Sequence, residues 1–408
     1  MKKIIFLLLI VCVFACKSDD TTYETVDVAV AEFVSKAEFR NLVEIQGPKA
    51  IEQSGKIYTY GNYIFINDNM EGVHIINNEN PVAPLPISYI KIPGNQDISI
   101  KNNFLYADSA VDLVVFDISN INNISMVDRL EDVFSVYDFQ FPEGVEGVEY
   151  GSFDWDTDII VGWNIIQQDR EIYNGNSLEN VDFATNDSGL SGDVGTGGSL
   201  ARFQIVDDFL YTVGSHEMTI FNISDLSEPT LANTFYSGNN IETMFQADGY
   251  LYLGSTDGMY IYSLANATSP EFVSEFIHWT GCDPVVVDGD YAYLTLRGGN
   301  NCGQLESVLE IIDISNKSYP TLVGVNSLEN PYGLGINQNL LFVCDGDAGL
   351  KVYDKTDPID IQWIETFSDV HATDIIPLQN SLIMIGNNVL YQYQYINNSI
   401  ELLSTLNL

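Results

Sequence analysis

The chain has 408 residues, of which 46% are hydrophobic, so it holds enough apolar material for a sizeable core and wholesale disorder is excluded. It carries 57 Asp and Glu residues against 16 Lys and Arg, a formal net charge of -41 at pH 7. Because so few cations could not replace the counterions around a phosphate backbone, a nucleic-acid-binding protein is excluded.

The first fifteen residues are typical of a signal peptide. A basic start precedes an apolar run from Ile4 to Ala15 that is too short to span a bilayer. The run ends at Ala15-Cys16, which resembles the lipobox of bacterial lipoproteins, where the cysteine thiol carries the lipid. We therefore expect residues 1–15 to be removed and Cys16 to be lipidated, with an ordinary secretory signal as the alternative.

The next residues predict where the protein is displayed. Lys17-Ser18-Asp19-Asp20 resembles the acidic surface-export signal of Bacteroidetes lipoproteins, which implies the outer face of the outer membrane, with the periplasmic face as the alternative. After removal of the signal the chain has 14 basic and 57 acidic residues, a net charge of -43. Such a body is repelled by an anionic surface, so the lipid, rather than charge, is expected to hold it at the membrane.

After residue 54 a short apolar strand recurs, mostly at a spacing of 41 residues. Its seven copies begin at Tyr63, Phe104, Phe209, Tyr250, Tyr291, Leu340 and Ser381. A second apolar strand follows each copy, in degenerate form in the last, and most copies continue into a polar turn. An inner and an outer strand complete the unit. Four short strands at a period near 40 residues are typical of a β-propeller blade. We therefore expect an all-β fold, a seven-bladed β-propeller formed by residues 55–408.

The second apolar strand carries a family resemblance. Leu-Val-Val-Phe-Asp at 113–117 and Leu-Glu-Ile-Ile-Asp at 309–313, each followed by Ile-Ser-Asn, resemble the strand after which the LVIVD-repeat proteins are named. The resemblance extends over residues 55–408 and is to β-propeller lipoproteins of the Bacteroidetes type. It implies the fold and an exported or surface location, but no particular activity, because propellers host enzymes, lectins and scaffolds alike.

Three segments fall outside the regular period. Residues 16–54 are expected to hold the lipidated cysteine, a linker and a short N-terminal segment, with a helix over Glu32 to Arg40 and an added strand over Leu42 to Ile45. Residues 133–199 are expected to be a long insertion between blades two and three, with an eighth blade as the alternative. The fifth copy is longer than the period by eight residues, around Arg297 to Cys302.

Two cysteines of the fifth copy are predicted to form a disulfide. Cys282 lies on the loop before the inner strand and Cys302 on the loop between the second and third strands, and propeller topology brings these two kinds of loop to one face. An exported, oxidising environment favours their pairing, and two buried thiols are the alternative. Cys344 continues a strand and is expected to be a small apolar packing residue.

The sequence contains no specific pattern of catalytic or metal-binding residues. The acidic runs Asp154 to Asp158 and Asp345 to Asp347 resemble the start of a calcium loop, but both lack the later Gly and bidentate Glu of an EF-hand. Calcium is therefore the one cofactor with a candidate site, and solvated acidic turns are the alternative. Gly197 to Ala201 resembles a nucleophile elbow but precedes a strand where a helix is required, so we expect no catalytic residues.

These observations predict a binding or scaffold protein that acts through one face of the propeller. Extra residues on a repeat scaffold usually decorate the binding face. The expected contacts to a protein or glycan ligand are Trp279, Asp283, Arg297, Tyr332, Asp345 and Asp347. Trp155 and Trp163 of the insertion are further aromatic candidates. The alternatives are a secreted or periplasmic propeller enzyme, a hydrolase or lyase acting on polysaccharide, and a calcium-dependent adhesion protein.

Overall fold

The computed structural model describes residues 23–134, 142, 144–171, 194, 196–278, 284–298 and 306–408. Apart from one helix of five residues, the regular elements in these ranges are all strands. As far as residue 130 they are β1 (Tyr23–Ser35), α1 (Lys36–Arg40), β2 (Glu44–Gln46), β3 (Ser54–Tyr60), β4 (Tyr63–Asp68), β5 (Gly72–Asn77), β6 (Leu85–Lys91), β7 (Ile98–Lys101), β8 (Phe104–Ser109), β9 (Asp112–Asp117) and β10 (Ser125–Leu130).

Between residues 147 and 263 the strands are β11 (Gly147–Glu149), β12 (Asp158–Glu171), β13 (Thr196–Gly197), β14 (Phe203–Val206), β15 (Phe209–Val213), β16 (Glu217–Asn222), β17 (Thr230–Tyr236), β18 (Ile241–Ala247), β19 (Tyr250–Ser255) and β20 (Gly258–Ser263). The last strands are β21 (Glu271–Ile277), β22 (Val285–Asp288), β23 (Tyr291–Leu296), β24 (Val308–Asp313), β25 (Thr321–Ser327), β26 (Leu334–Asn337), β27 (Leu340–Cys344), β28 (Leu350–Asp354), β29 (Gln362–Phe367), β30 (Asp374–Pro377), β31 (Ser381–Gly386), β32 (Val389–Ile396) and β33 (Ser399–Asn407).

The chain divides into two compact units, residues 1–34 with 139–179 and residues 35–138 with 180–408. In the described part of the first unit, β1 lies between β11 and β12 in a three-stranded sheet and pairs with β11 in parallel. Val28 and Ala29 of β1 are fully buried. The sequence did not predict this sheet, because the partners of β1 are far from it in the chain.

Ser35 ends β1 and caps helix α1. Its hydroxyl accepts a hydrogen bond from the amide of Glu38, and the Glu38 carboxylate accepts one from the amide of Ser35, the reciprocal pairing of a capping box. The helix therefore begins at Lys36, and the predicted start at Glu32 is wrong because residues 32–35 belong to β1. The added strand is present as β2, which pairs with β6, but it lies at Glu44–Gln46 rather than at the predicted Leu42 to Ile45. Within the described ranges no helix is long and apolar enough to cross a membrane.

Seven sheets make up the described part of the second unit. The second to seventh sheets each have four antiparallel strands in chain order, β7–β10, β14–β17, β18–β21, β22–β25, β26–β29 and β30–β33. The first sheet has β3–β6, with β2 added at its outer edge and β13 at its inner edge. The second strand of every sheet begins at one of the seven residues that repeat in the sequence, so the period is confirmed at each copy.

Apolar side chains fill the spaces between neighbouring sheets. In β9, the residues Leu113 to Phe116 are all fully buried, because a strand covered on both faces is apolar along its whole length. The outer strands, such as β17, instead alternate between exposed and half-buried residues. Each sheet shares a buried apolar cluster with the next, and Ile57 and Ile383 belong to a cluster that joins the first sheet to the seventh.

Buried tyrosines tie second strands to the next sheet. The hydroxyl of Tyr106 donates to the carbonyl of Leu226 (2.8 Å), and that of Tyr211 donates to the carbonyl of Ala267 (2.7 Å). Both carbonyls lie in the outer turn of the following sheet, so each buried hydroxyl finds the partner that burial requires. Tyr211 is 1% exposed, and its ring packs in the apolar cluster between the third and fourth sheets.

Strand β13 lies at the inner edge of the first sheet. It pairs with β3, and the amide of Gly198 donates to the carbonyl of Ile57 (3.0 Å). A Cβ at Gly198 would overlap the carboxylate of Asp374, so this position requires glycine. The Ser199 hydroxyl then accepts a hydrogen bond from the amide of Leu334 (2.7 Å). This short segment therefore links the first, sixth and seventh sheets.

Two buried aspartates at the start of inner strands connect neighbouring sheets. Asp97, before β7, accepts hydrogen bonds from the next residue of its own sheet (2.7 Å) and from the amide of Phe203 in the third sheet (3.0 Å). Asp374, at the equivalent position of the seventh sheet, accepts from its own sheet (2.9 Å) and from the amide of Ile57 in the first sheet (3.4 Å). Because buried amides must be paired, each carboxylate holds two sheets in register.

Asp374 makes the stability of the second unit depend on pH. An aspartate in an unfolded chain has a pKa near 3.9, whereas burial raises the pKa of Asp374 to about 7, although backbone amides and Lys56 act in the opposite direction. The folded protein therefore keeps a proton that the unfolded chain releases. The contribution of Asp374 to the free energy of unfolding consequently falls as the pH rises from about 4 to about 7, and is constant above that range.

Asp374→Asn imitates the protonated carboxyl group. We expect the free energy of unfolding of this variant to rise relative to that of the wild type, by on the order of 2 kcal/mol, as the pH is raised from about 4 to about 7. Urea unfolding at several pH values measures this difference. Asp360→Asn, which removes one exposed carboxylate, is the matched control for net charge. The same pH dependence in both variants would contradict the prediction.

Candidate ligand-binding face

Two kinds of loop meet at one end of the sheets in the second unit: the loops that precede the inner strands and the loops between second and third strands. We call this end the loop face. Three aspartates at the end of second strands, Asp68, Asp108 and Asp345, each accept hydrogen bonds from two successive backbone amides of the loop before the inner strand of the same sheet. The predicted meeting of these loops on one face is therefore observed in three sheets.

Several residues singled out by the sequence lie outside the described residues, namely Cys16, Trp279, Cys282, Asp283 and Cys302. The lipidation, the disulfide and the ligand contacts assigned to them stay predictions. Cys344 is described, as a buried free thiol in the core between the sixth and seventh sheets. Its predicted role as a packing residue is confirmed.

Asp345 and Asp347, two residues apart, have different environments. The Asp345 side chain is fully buried, accepts from the amides of Glu329 (3.0 Å) and Asn330 (2.7 Å), and forms an ion pair with Lys351. The Asp347 side chain is 92% exposed. Asp345 therefore fixes the loop before β26, and Asp347 is the member of the pair whose carboxylate faces solvent.

Arg297 and Tyr332 join the fifth sheet to the sixth. The guanidinium carbon of Arg297 lies 4.3 Å from the centroid of the Tyr332 ring, a cation–π contact. The backbone of Tyr332 is held on both sides, since its carbonyl accepts from the Thr295 hydroxyl (2.7 Å) and its amide donates to the carbonyl of Cys344 (2.7 Å). The buried Nε of Arg297 has no hydrogen-bond partner among the described residues.

His371, which sequence reasoning did not select, extends this arrangement to the seventh sheet. Its ring centroid lies 6.0 Å from that of Tyr332, and its Nδ1 lies 2.6 Å from a carboxylate oxygen of Asp347. The sequence offered one signal, because His371 and Tyr332 both lie shortly before an inner strand, at positions that the repeat assigns to the same face.

Arg297, Tyr332, His371 and Asp347 thus form a row across three sheets, which we call the polar row. A cation, an aromatic ring, an imidazole and an exposed carboxylate can stack with a ligand and exchange hydrogen bonds with it. In the part of the chain that the structure describes, no three His, Cys, Asp or Glu side chains form a group that could hold a metal ion. The serine of the elbow-like segment, Ser199, is 2% exposed.

The different burial of Asp345 and Asp347 predicts different effects on stability. Asp345→Ala leaves two loop amides and the Lys351 ammonium without their carboxylate, and we expect it to lower the free energy of unfolding by roughly 3 kcal/mol. Asp347→Ala removes an exposed carboxylate of the same loop and should change the free energy of unfolding by less than about 1 kcal/mol. Urea unfolding of both variants provides the comparison, and equal midpoints would show the interpretation of Asp345 to be wrong.

Comparison with known proteins identifies the repeated unit. A family model described as the LVIVD repeat matches residues 94–132, 197–236 and 282–326. These three matches contain the second and third sheets and all but the last residue of the fifth. No curated protein matches the chain.

Two solved structures are similar in fold at low sequence identity. A protein from Lactobacillus plantarum is 10% identical, with a TM-score of 0.51, over 78% of this chain and 85% of its own. A functionally unknown protein from Desulfotomaculum acetoxidans is 11% identical, with a TM-score of 0.51, over 84% of this chain and 95% of its own. At such identities the likeness concerns the fold alone, a propeller-like arrangement of four-stranded sheets. The chain is therefore an all-β protein that contains LVIVD repeats.

Proposed function

We propose that the chain is a lipoprotein of the outer membrane, anchored through Cys16 and displayed at the cell surface, that binds a protein or glycan ligand through the loop face without catalysing a reaction. Its scaffold is a closed seven-bladed propeller. The loop face belongs to that scaffold, and the polar row supplies the contacts.

The contacts of the inner strands support the closed ring. In chain order, the inner strands β3, β7, β14, β18, β22, β26 and β30 each contact the next, and β30 also contacts β3. The apolar cluster that contains Ile57 and Ile383 lies between the same two end sheets. Direct contact between β7 and β14 favours seven blades over eight, because an eighth blade built from residues 133–199 would separate these strands.

The position of Arg297 is the observation that carries the binding proposal. Among the described residues it forms no ion pair with an Asp or Glu, although the chain holds 57 of them. Its guanidinium lies against Tyr332, and no carboxylate of the described residues pairs with it. A guanidinium is a strong partner for a planar anionic group, so the ligand is expected to present a carboxylate or sulfate, on a sugar or on an acidic side chain.

Removal of the Arg297 side chain tests this proposal. We expect wild-type protein to be retarded in native gels that contain alginate, polygalacturonate or chondroitin sulfate, and Arg297→Ala to bind at least tenfold more weakly, about 1.4 kcal/mol. Arg297→Lys should retain part of the affinity. Lys317→Ala is the matched control, because Lys317 also lies over tyrosine rings, those of Tyr250 and Tyr252, at 5.9 Å.

The gels are run with and without calcium, and immobilised envelope proteins of the source cell serve as the protein ligands. Binding that Arg297→Ala and Tyr332→Ala leave unchanged would show that the polar row is not the site. Turnover of a polysaccharide by the wild-type protein would show that the protein is an enzyme and that the proposal of binding without catalysis is wrong.

Membrane anchoring is tested separately at Cys16. In cells supplied with a labelled fatty acid, we expect wild-type protein to carry the label and Cys16→Ser to lose it, because the thiol is the point of attachment. The variant should also leave the membrane fraction, since a body with a net charge of -43 has no electrostatic attraction to anionic lipid. Equal labelling of both proteins would contradict the anchor, and protease digestion of intact cells distinguishes surface from periplasmic display.

A further inference from the structure

The first unit carries a cluster of aromatic side chains at one end of its sheet. Tyr150, Phe153 and Trp155 follow β11, and Phe33 of β1 and Trp163 of β12 lie beside them; we call these five residues the aromatic cluster. The ring centroids of Phe153 and Trp155 are 4.7 Å apart at an interplanar angle of 82°, and that of Tyr150 lies 5.9 Å from Trp155 and 6.1 Å from Trp163. Phe33 meets Phe153 edge to face at 5.6 Å.

Solvent reaches the outer members of this cluster. Trp155 is 56% exposed and Tyr150 37% exposed, whereas Phe153 is half-buried beneath them. The turn that carries Trp155 is held by its own hydrogen bonds, because the carbonyl of Asp154 accepts from the amides of Thr157 (3.2 Å) and Asp158 (2.8 Å). An exposed ring fixed by its neighbours and by a closed turn loses little conformational freedom when a ligand binds.

The groups beside Trp155 indicate the chemistry of that ligand. Trp155 is flanked in the chain by two exposed aspartates, Asp154 and Asp156. The Asp154 carboxylate accepts one hydrogen bond, from the amide of Asp156 (2.9 Å), and a carboxylate offers about four acceptor positions. A neutral pyranose ring fits both features, because its C–H face can stack on the indole and its hydroxyls can donate to the carboxylates. Anionic polymers are repelled here.

The direction of β1 argues against a lipid surface as the occupant. Thr25, near the start of β1, hydrogen-bonds Asp169 (2.8 Å), whereas Phe33, near its end, contacts the aromatic cluster. Eight residues of strand separate these two points, about 26 Å. Strand β1 therefore begins at the end of the sheet opposite the cluster. A lipid on Cys16 would hold that opposite end near the bilayer.

We propose that the aromatic cluster is a binding site for neutral polysaccharide, in which sugar rings stack on Trp155 and Tyr150 and hydroxyls donate to Asp154 and Asp156. This site uses none of the residues of the polar row, so it does not depend on the function proposed for the loop face. Its ligand is neutral, whereas the ligand of the polar row carries an acidic group.

The test is native electrophoresis of the full chain in gels that contain hydroxyethyl cellulose, xyloglucan, arabinoxylan or galactomannan. In a second measurement, cellohexaose and xylohexaose are titrated into the protein and binding is followed by tryptophan fluorescence. We expect at least one of these neutral glycans to retard the wild-type protein, and Trp155→Ala to weaken binding at least tenfold. Trp363→Ala is the matched control, because Trp363 is 63% exposed on β29 of the second unit. Trp363→Ala and Arg297→Ala should both bind as the wild type does.

Three outcomes would overturn the proposal: no retardation by any neutral glycan of the panel, equal retardation of Trp155→Ala and wild type, or an equal loss in Trp363→Ala. Phosphatidylcholine vesicles test the lipid alternative. Vesicle binding by the wild-type protein that Trp155→Ala abolishes would also count against the proposed polysaccharide site. Because Trp155 is exposed but packs on Phe153 and Tyr150, its removal should lower the thermal unfolding midpoint only slightly, and a single cooperative transition confirms that the variant is folded. Loss of binding to acidic polysaccharides in Arg297→Ala, with neutral binding intact, distinguishes the two sites.

Discussion

A buried carboxylate that pairs backbone amides of a loop is the interaction on which the loop face depends. Loops between strands have amides that no ladder satisfies, and each such amide must find an acceptor if it is buried. Asp68, Asp108 and Asp345 supply that acceptor in the first, second and sixth sheets, and each pairs two successive amides. Asp97 and Asp374 do the same between sheets, so carboxylates hold both the loops and the inner strands.

Burial of these carboxylates changes their ionisation, because a charge removed from water is disfavoured. Burial raises the pKa of Asp108 to about 6 against the opposing effect of the amides of Gln96 and Asp97. Asp112 shows the opposite balance. It accepts from Arg40 (2.8 and 2.9 Å) and Arg129 (2.7 Å), and these pairings outweigh its burial and hold its pKa below the usual range. The pKa of a buried aspartate in this protein therefore depends on whether paired cations outweigh the effect of burial.

The sequence predicted the sheets well, because their signal is local and repeated: every second strand begins where the period places it. It did not predict β1 as a strand, since β1 pairs with residues that are distant in the chain. Asp345 was selected as a ligand contact because a sequence does not distinguish a buried carboxylate from an exposed one. A signal was nevertheless present, since Asp68, Asp108 and Asp345 all lie four or five residues after the start of a repeated strand.

The chain holds 16 Lys and Arg residues against 57 Asp and Glu residues, so the partner of each cation is informative. Arg40 and Arg129 meet at Asp112, Lys351 pairs with Asp345, and Lys355 pairs with Asp288 of the neighbouring sheet. These cations neutralise carboxylates within the fold. Arg297 differs from them, because its contact in the described chain is the neutral ring of Tyr332. A guanidinium is poorly compensated by a ring alone, so under the proposed function an acidic group of the ligand would give Arg297 the kind of pairing that Arg40, Arg129, Lys351 and Lys355 have within the fold.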